Sequence, residues 1–273
     1  MKRPVALVLL VLMVTSLLAG CSKAADKAAP APNGSQQAGA PAPSATPTLD
    51  AIKAAGALKI GTSPDYPPFE SLDTQNNVIG FDVDLMTEVA KALGVKLEIV
   101  QMGFDGLIPA LQSKKFDVMA AGVSVTAERK QAVDFTDPYL VGTDAIVVRT
   151  DWSTPVKGLE DLKGHSVAVQ LGTVQADAAK KVGGINVKEY NLFTEAATAV
   201  ASKQADALYL HKVVAEAFIK ANPVLKIAAE TPAKDTAFAL RKDTPDLTQF
   251  VNGVLAKMKQ DGSFDALVAK WFK

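Results

Sequence analysis

The sequence predicts an α/β protein of two lobes with a ligand cleft between them. Three observations predict it. From Leu49 onward, short apolar strands alternate with amphipathic helical segments. Near Ala145 this alternation resets, so the chain reads as two similar halves. Each half also carries a polar turn between a strand and a helix, at residues 122–129 and 171–174. Repeated βα units argue for largely parallel sheets. Ligands of such sheets sit outside the carboxyl ends of the strands.

Composition agrees with a water-soluble body. The 273 residues are 48% hydrophobic and 21% charged, which excludes a multi-span membrane protein, a collagen-like repeat and a wholly disordered chain. Beyond residue 48 the acids slightly outnumber the bases, so no excess of positive charge argues for nucleic acid. A single cysteine excludes an internal disulfide and a cysteine-built zinc site.

That cysteine lies in a segment expected not to join the fold. Met1-Lys2-Arg3 is a basic start, Val5 to Leu18 is an apolar run, and Leu18-Ala19-Gly20-Cys21 follows. This is the layout of an export signal, too short to span a bilayer, which takes ~20 apolar residues. The four residues resemble a bacterial lipobox, with residues 1–20 removed and Cys21 lipidated. Residues 21–48 are rich in Ala, Pro, Gly, Ser and Gln and read as a disordered tether.

The elements then run in order. Residues 57–61 read as the first strand. Asp82 is expected to cap a helix bearing Leu85, Val89 and Leu93 and ending at Gly94. Residues 95–100 form the second strand, Asp105 caps a helix with Leu107, Ile108 and Leu111, and residues 116–120 form the third strand. In the second half, strands are expected at 145–148, 166–170 and 205–210. Helices follow at about 174–181, from a Thr194 cap to Ser202, and up to about Ala221. A short strand at 236–240 and two helices, at about 245–260 and 263–271, complete the chain.

The candidate site follows from the two polar turns. In Gly122-Val123-Ser124-Val125-Thr126-Ala127-Glu128-Arg129, Thr126 reads as a cap and Arg129 falls in the first helical turn. A cation there opposes the helix dipole, which suggests an anion to be bound, and an Arg can hold a carboxylate by two parallel hydrogen bonds. The alternative is an Arg paired with a surface acid. Leu171-Gly172-Thr173-Val174 is the matching turn, with Thr173 as cap. Tyr66, in the Pro-stiffened Tyr66-Pro67-Pro68-Phe69, and Phe104 are aromatics that either face a ligand or pack. Catalytic signals are sparse: His165 and His211 lie near no nucleophile, and no Gly-x-Ser-x-Gly turn, metal spacing or phosphate loop appears. Asp82 and Asp84 are read as a helix start rather than an acid/base pair.

Several segments together resemble the bacterial extracytoplasmic solute-binding proteins of polar amino-acid ABC importers, family 3. They are Gly61-Thr62 with Tyr66-Pro67-Pro68-Phe69-Glu70, Gly80-Phe81-Asp82-Val83-Asp84-Leu85, Gly106-Leu107-Ile108-Pro109-Ala110-Leu111, Val133-Asp134-Phe135-Thr136-Asp137-Pro138-Tyr139 and Asp261-Gly262-Ser263-Phe264. The resemblance implies a two-lobed periplasmic-binding-protein fold with two crossover segments. One lobe would span 49–144 and 236–273, the other 145–235, with crossovers near Gly142–Ala145 and Lys234–Ala237. It implies that Arg129 holds the carboxylate of a small ligand, helped by Gly122, Ser124 and Thr173. Tyr66 and Phe104 would sandwich the ligand side chain, with Ser63, Ala121, Leu171, Gly172 and Val174 around it. It implies no cofactor and no metal, an ABC permease as partner, a lipid-anchored extracytoplasmic location and a monomer.

One position departs from the family's pattern. An Asp that pairs with the ligand's α-ammonium usually stands five residues beyond the Asp that matches Asp206. Here that position is His211, beside Lys212. An imidazole accepts one hydrogen bond but does not supply the charge, and an imidazolium would repel the ammonium. The ligand is therefore expected to be an amino acid or a related carboxylate, with a ligand lacking the α-ammonium as competitor and an acid supplied from elsewhere as alternative. A dehydratase of cyclohexadienyl acids would use the same fold but wants an acid in the cleft, and a ligand sensor is a further reading.

Overall fold

A computed structural model describes residues 46–272. The expected signal segment, Cys21 and most of the tether lie outside them. The first helix, α1 (Pro47–Ala55), starts inside the stretch expected to be tether, with Pro47 in its first turn. It is fastened by Asp246, whose Oδ2 accepts the Thr48 and Leu49 N–H groups at 2.8 and 3.1 Å.

The chain continues through β1 (Ala57–Thr62), β2 (Asp65–Tyr66), β3 (Glu70–Leu72), β4 (Val78–Ile79), α2 (Phe81–Leu93), β5 (Lys96–Gln101), α3 (Leu107–Gln112), β6 (Val118–Met119), α4 (Arg129–Ala132) and β7 (Asp134–Phe135). Then come β8 (Thr143–Arg149), β9 (Ser166–Gln170), α5 (Val174–Val182), β10 (Asn186–Tyr190), α6 (Phe193–Ala201), β11 (Ala207–His211), α7 (Lys212–Ala221) and β12 (Leu225–Pro232). Last are β13 (Ala239–Leu240), α8 (Pro245–Asp261) and α9 (Ser263–Trp271).

Two five-stranded sheets organise these elements, in the orders β5-β1-β6-β13-β7 and β10-β9-β11-β8-β12. In the first, β1 runs parallel to β5 and β6, and β13 runs antiparallel to β6 and β7. In the second, β9 runs parallel to β10 and β11, and β8 runs antiparallel to β11 and β12. Both sheets are thus parallel on one side and antiparallel on the other. The chain passes between them twice, after β7 and after β12. The two passages pair side by side: the Thr236 N–H donates to the Leu140 carbonyl oxygen at 2.8 Å, and the Tyr139 N–H to that of Thr236 at 3.0 Å. A small antiparallel sheet, β2-β3-β4, completes the strands.

The helical periodicity seen in the sequence puts Phe81, Leu85, Met86 and Val89 of α2 in the core, all fully buried. Burying each such side chain contributes ~1.5–3 kcal/mol relative to exposure. Phe81 packs edge-on against Phe264 and Phe272 at ring distances of 5.6 and 4.9 Å, which docks the carboxyl-terminal helix onto α2. Asp84 adds a polar clasp, its Oδ2 accepting Lys270 Nζ and Trp271 Nε1, each at 2.7 Å.

Three expected caps differ. Gly80, not Asp82, precedes α2, at φ 147°; a Cβ there would lie 2.1 Å from the Phe69 carbonyl oxygen, so glycine is obligatory. Asp105 sits within a short 3₁₀ turn and makes no side-chain cap bond. Thr194 lies inside α6; Leu192 precedes that helix, and its N–H donates to Glu195 Oε2 at 3.3 Å. The strand expected at 145–148 begins two residues earlier, and the one expected at 236–240 is regular only at 239–240.

Candidate functional site

The carboxyl ends of strands from both sheets meet at a narrow cavity of about 10 Å³, room for about one water molecule. Nine of the expected residues line it: Ser63, Tyr66, Phe104, Ala121, Gly122, Ser124, Arg129, Thr173 and Val174. Gly172 stands at the cleft mouth beside Arg129. Leu171 and His211 are not among the lining residues. The lining also includes Glu70, Gln170, Gln175 and Phe193, which sequence reasoning did not place there.

Arg129 spans the cleft. Thr126 does cap its turn, with Oγ1 accepting the Arg129 N–H at 3.0 Å. The guanidinium donates to the Ser124 carbonyl oxygen at 2.9 Å and to that of Gly172 at 3.0 Å. It lies over the Phe104 ring, 5.4 Å from its centroid, the separation of a cation–π contact. Burial lowers its pKa from the ordinary value. Two carbonyls orient the fork and leave further N–H groups for a carboxylate.

The opposite wall is α5. Thr173 caps it as expected, with Oγ1 accepting the Ala176 N–H at 3.2 Å and donating to the Gln170 carbonyl oxygen at 2.7 Å. Tyr66 is stacked between Phe69 and Phe193, at ring distances of 5.7 and 4.8 Å, and its hydroxyl oxygen accepts the His211 N–H at 3.4 Å. Gly122, at φ 55°, lies under this ring; a Cβ would approach it to 3.0 Å. The Gly122 N–H, expected to help a ligand carboxylate, instead donates to Asp82 Oδ2 at 3.0 Å.

Asp82 is therefore a core acid. It is fully buried and accepts the Tyr139 hydroxyl at 2.7 Å. Desolvation raises its pKa to about 7, although the bonds from Gly122 and Tyr139 work the other way. Glu70 lies nearby, 1% exposed, and neither carboxyl oxygen has a protein partner. Burial, with Asp82 and Asp65 adding to it, pushes the Glu70 pKa well above the usual carboxylate range. Asp65 is buried too, accepting Ser63 Oγ at 2.9 Å and Gln170 Nε2 at 3.2 Å. Of these three acids only Glu70 lines the cavity. Among the described residues no group of three or more His, Cys, Asp or Glu is placed to hold a metal ion.

His211 differs from expectation. It ends β11, is 5% exposed, and both ring nitrogens lack partners. Its ring packs edge-on to Phe69 at 5.8 Å and against Gly142, where a Cβ would lie 2.0 Å from Nε2. Burial lowers its pKa to about 4, so the ring is neutral rather than a cation. Directly across the antiparallel pairing stands Asp144. Its Oδ1 accepts Gln175 Nε2 at 2.9 Å and its Oδ2 accepts the Tyr209 hydroxyl at 3.3 Å.

Known proteins share this arrangement. Residues 58–273 match the family model described as bacterial extracellular solute-binding proteins, family 3. The chain is 36% identical over 222 residues to the arginine-binding extracellular protein ArtP of Bacillus subtilis, covering 79% of this chain and 86% of that one. The P235GK mutant of ArgBP from T. maritima superposes with a TM-score of 0.80 at 44% identity, over 82% of this chain and 98% of that one. AncCDT-1, an ancestral amino acid-binding protein and precursor of cyclohexadienyl dehydratase, superposes with a TM-score of 0.79 at 41% identity, over 83% and 100% of the two chains. Two sheets joined by two passages, a cleft between them and a match over most of the chain place this protein in family 3 of the bacterial extracellular solute-binding proteins.

Proposed function

We propose that the cleft binds a free amino acid with a cationic side chain, arginine in type, and delivers it to an ABC permease. The observation that carries this reading is Glu70: a buried carboxyl lining the cavity with neither oxygen hydrogen-bonded. A buried acid without a partner is costly, and a guanidinium or ammonium from the ligand would supply one. Arg129 takes the carboxylate at the other end, with Tyr66 and Phe104 beside the aliphatic stem. The arginine-binding relatives support the same class.

In this reading the segments 49–144 and 236–272 form one jaw and 145–235 the other. They close about the paired passages, with Arg129 and Gly172 meeting as they shut. The protein works as a monomeric receptor rather than an enzyme, held outside the cytoplasm by lipid on Cys21. Cys21→Ser should release it from membranes in cell fractionation; unchanged membrane association refutes the anchor.

The central test is a thermal-shift screen of the twenty L-amino acids with agmatine, which keeps the guanidinium and lacks the carboxylate. A ligand at about 100 times its Kd stabilises the fold by ~2.7 kcal/mol. Arginine or lysine should raise Tm most and agmatine little. A larger shift from an acidic or neutral amino acid refutes the cationic assignment.

A further inference from the structure

We propose that Asp144 is the acid that receives the ligand's ammonium group. This rests on the amino-acid reading above and extends it to a residue that the sequence did not single out. An amino acid whose carboxylate lies on Arg129 carries its ammonium one carbon away, beside the start of α5. A cation taken into a closed cleft without a counter-charge is strongly disfavoured. The wall there presents Thr173 and Gln175. Thr173 has already used its hydroxyl hydrogen and a lone pair within its own turn. His211 is neutral, buried and absent from the lining.

Asp144 has the charge, and stands one side chain behind the lining, in contact with Gln175. It pairs in register with His211 across β8 and β11, so the two side chains share a face of the second sheet. It is 4% exposed, and its Oδ1 touches the Gln175 amide, itself part of the cavity wall. Among the described residues its partners are neutral: Gln175 and Tyr209 supply one hydrogen bond each. A neutral amide is a replaceable donor, and an ammonium arriving from the cavity would take over the Oδ1 lone pair in a charge-assisted bond. Such bonds are roughly twice as strong as neutral ones. The negative charge absent at 211 is therefore provided by the facing strand.

The test compares L-arginine with 5-guanidinopentanoate, its analogue without the α-ammonium, by calorimetry on the full folded chain. L-Glutamine and its deaminated counterpart form a second pair, so that the ammonium question stays answerable if the side-chain assignment is wrong. Wild type should prefer the ammonium-bearing member of a pair. Asp144→Asn keeps the shape and an acceptor for Gln175, and should cut L-arginine affinity by at least ~30-fold while changing 5-guanidinopentanoate by less than about threefold. The preference within the pair then collapses. Equal weakening of both members would overturn the proposal, as would a collapse in His211→Ala with Asp144→Asn unaffected. Circular dichroism and Tm confirm that each variant folds. If L-glutamine binds and L-arginine does not, the cationic reading fails and the glutamine pair decides the role of Asp144; if wild type binds neither pair, both readings fall.

Discussion

Arg129 and Gly172 stand on opposite walls of the cleft and are joined by one hydrogen bond, from the guanidinium to the Gly172 carbonyl oxygen at 3.0 Å. The side chain that would hold the ligand thus also ties one wall to the other. Arg129→Met keeps the aliphatic stem and removes both functions. Calorimetry with L-arginine should show a loss of ~2–5 kcal/mol, about 30- to several-thousand-fold in Kd. An unchanged Kd in a folded variant would remove Arg129 from the site.

Glu70 makes binding a proton-linked event. With its pKa raised by burial, it holds a proton in the empty cleft and gives it up when a guanidinium arrives. Binding a cation therefore releases protons, and affinity for arginine should rise as pH increases from about 5.5 to 8, by up to tenfold per unit where one proton is released. Calorimetry in buffers of different ionisation enthalpy measures the protons directly. Glu70→Gln should abolish the release; a release that persists undiminished assigns the protons to another group.

Asp82 sets a second pH dependence, in the ligand-free protein. Its folded pKa of about 7 stands above the ~3.9 of an unfolded Asp. The folded state thus binds more protons than the unfolded state between those values. Stability from this group is complete at low pH and is lost as pH rises through 7. Between pH 6 and 8 the loss from this group should be ~1.4 kcal/mol, one pKa unit's worth, or ~3–6 °C in Tm for a chain of this size. His211, whose lowered pKa acts in the opposite sense between 4 and 6.5, is silent above that range. Glu70, whose pKa burial also raises, adds a loss of the same sign, so Asp82→Asn should reduce the slope from pH 6 to 8 without removing it, and a slope equal to wild type would show that Asp82 does not contribute.

Phe81 is the aromatic hub at the start of α2, 1% exposed and in contact with the rings of Tyr139, Phe264 and Phe272. Phe81→Ala should cost ~3–5 kcal/mol, or roughly 6–20 °C in Tm at this chain length. Denaturant melts give the same number independently. A loss under 1 kcal/mol would mean that α9 collapses into the space.

The sequence carries local features well and distant ones poorly. The helical spacing of Leu85, Val89 and Leu93 marks α2, and Thr173 marks the start of α5, because each signal is contained within a few residues. Asp82 looks like a cap for the same reason, since Asp at a helix start is common there; only the arrival of Gly122 and Tyr139 from elsewhere in the chain turns it into a buried acid. Glu70 gives no sign of facing a ligand, because its burial depends on the turn at Gly80 folding over it. β12, Leu225–Pro232, lacks both clear alternation and a continuous apolar run, and becomes a strand by pairing with β8. The pairing of Asp144 with His211 is a matter of strand register across many intervening residues, which no local pattern encodes.

The place of β13 in the first sheet bears on how the protein is made. It lies between β6 and β7, yet it is synthesised after every strand of the second sheet. The second sheet draws only on residues 143–232 and can assemble from a nearly continuous stretch as soon as that stretch exists. The first sheet cannot: β6 and β7 have no shared neighbour until Ala239 and Leu240 arrive. A chain emerging from its amino end therefore completes its later half before its earlier one. Long-range pairings of this kind slow folding, so the half that carries Arg129 and Glu70 is the last to become competent.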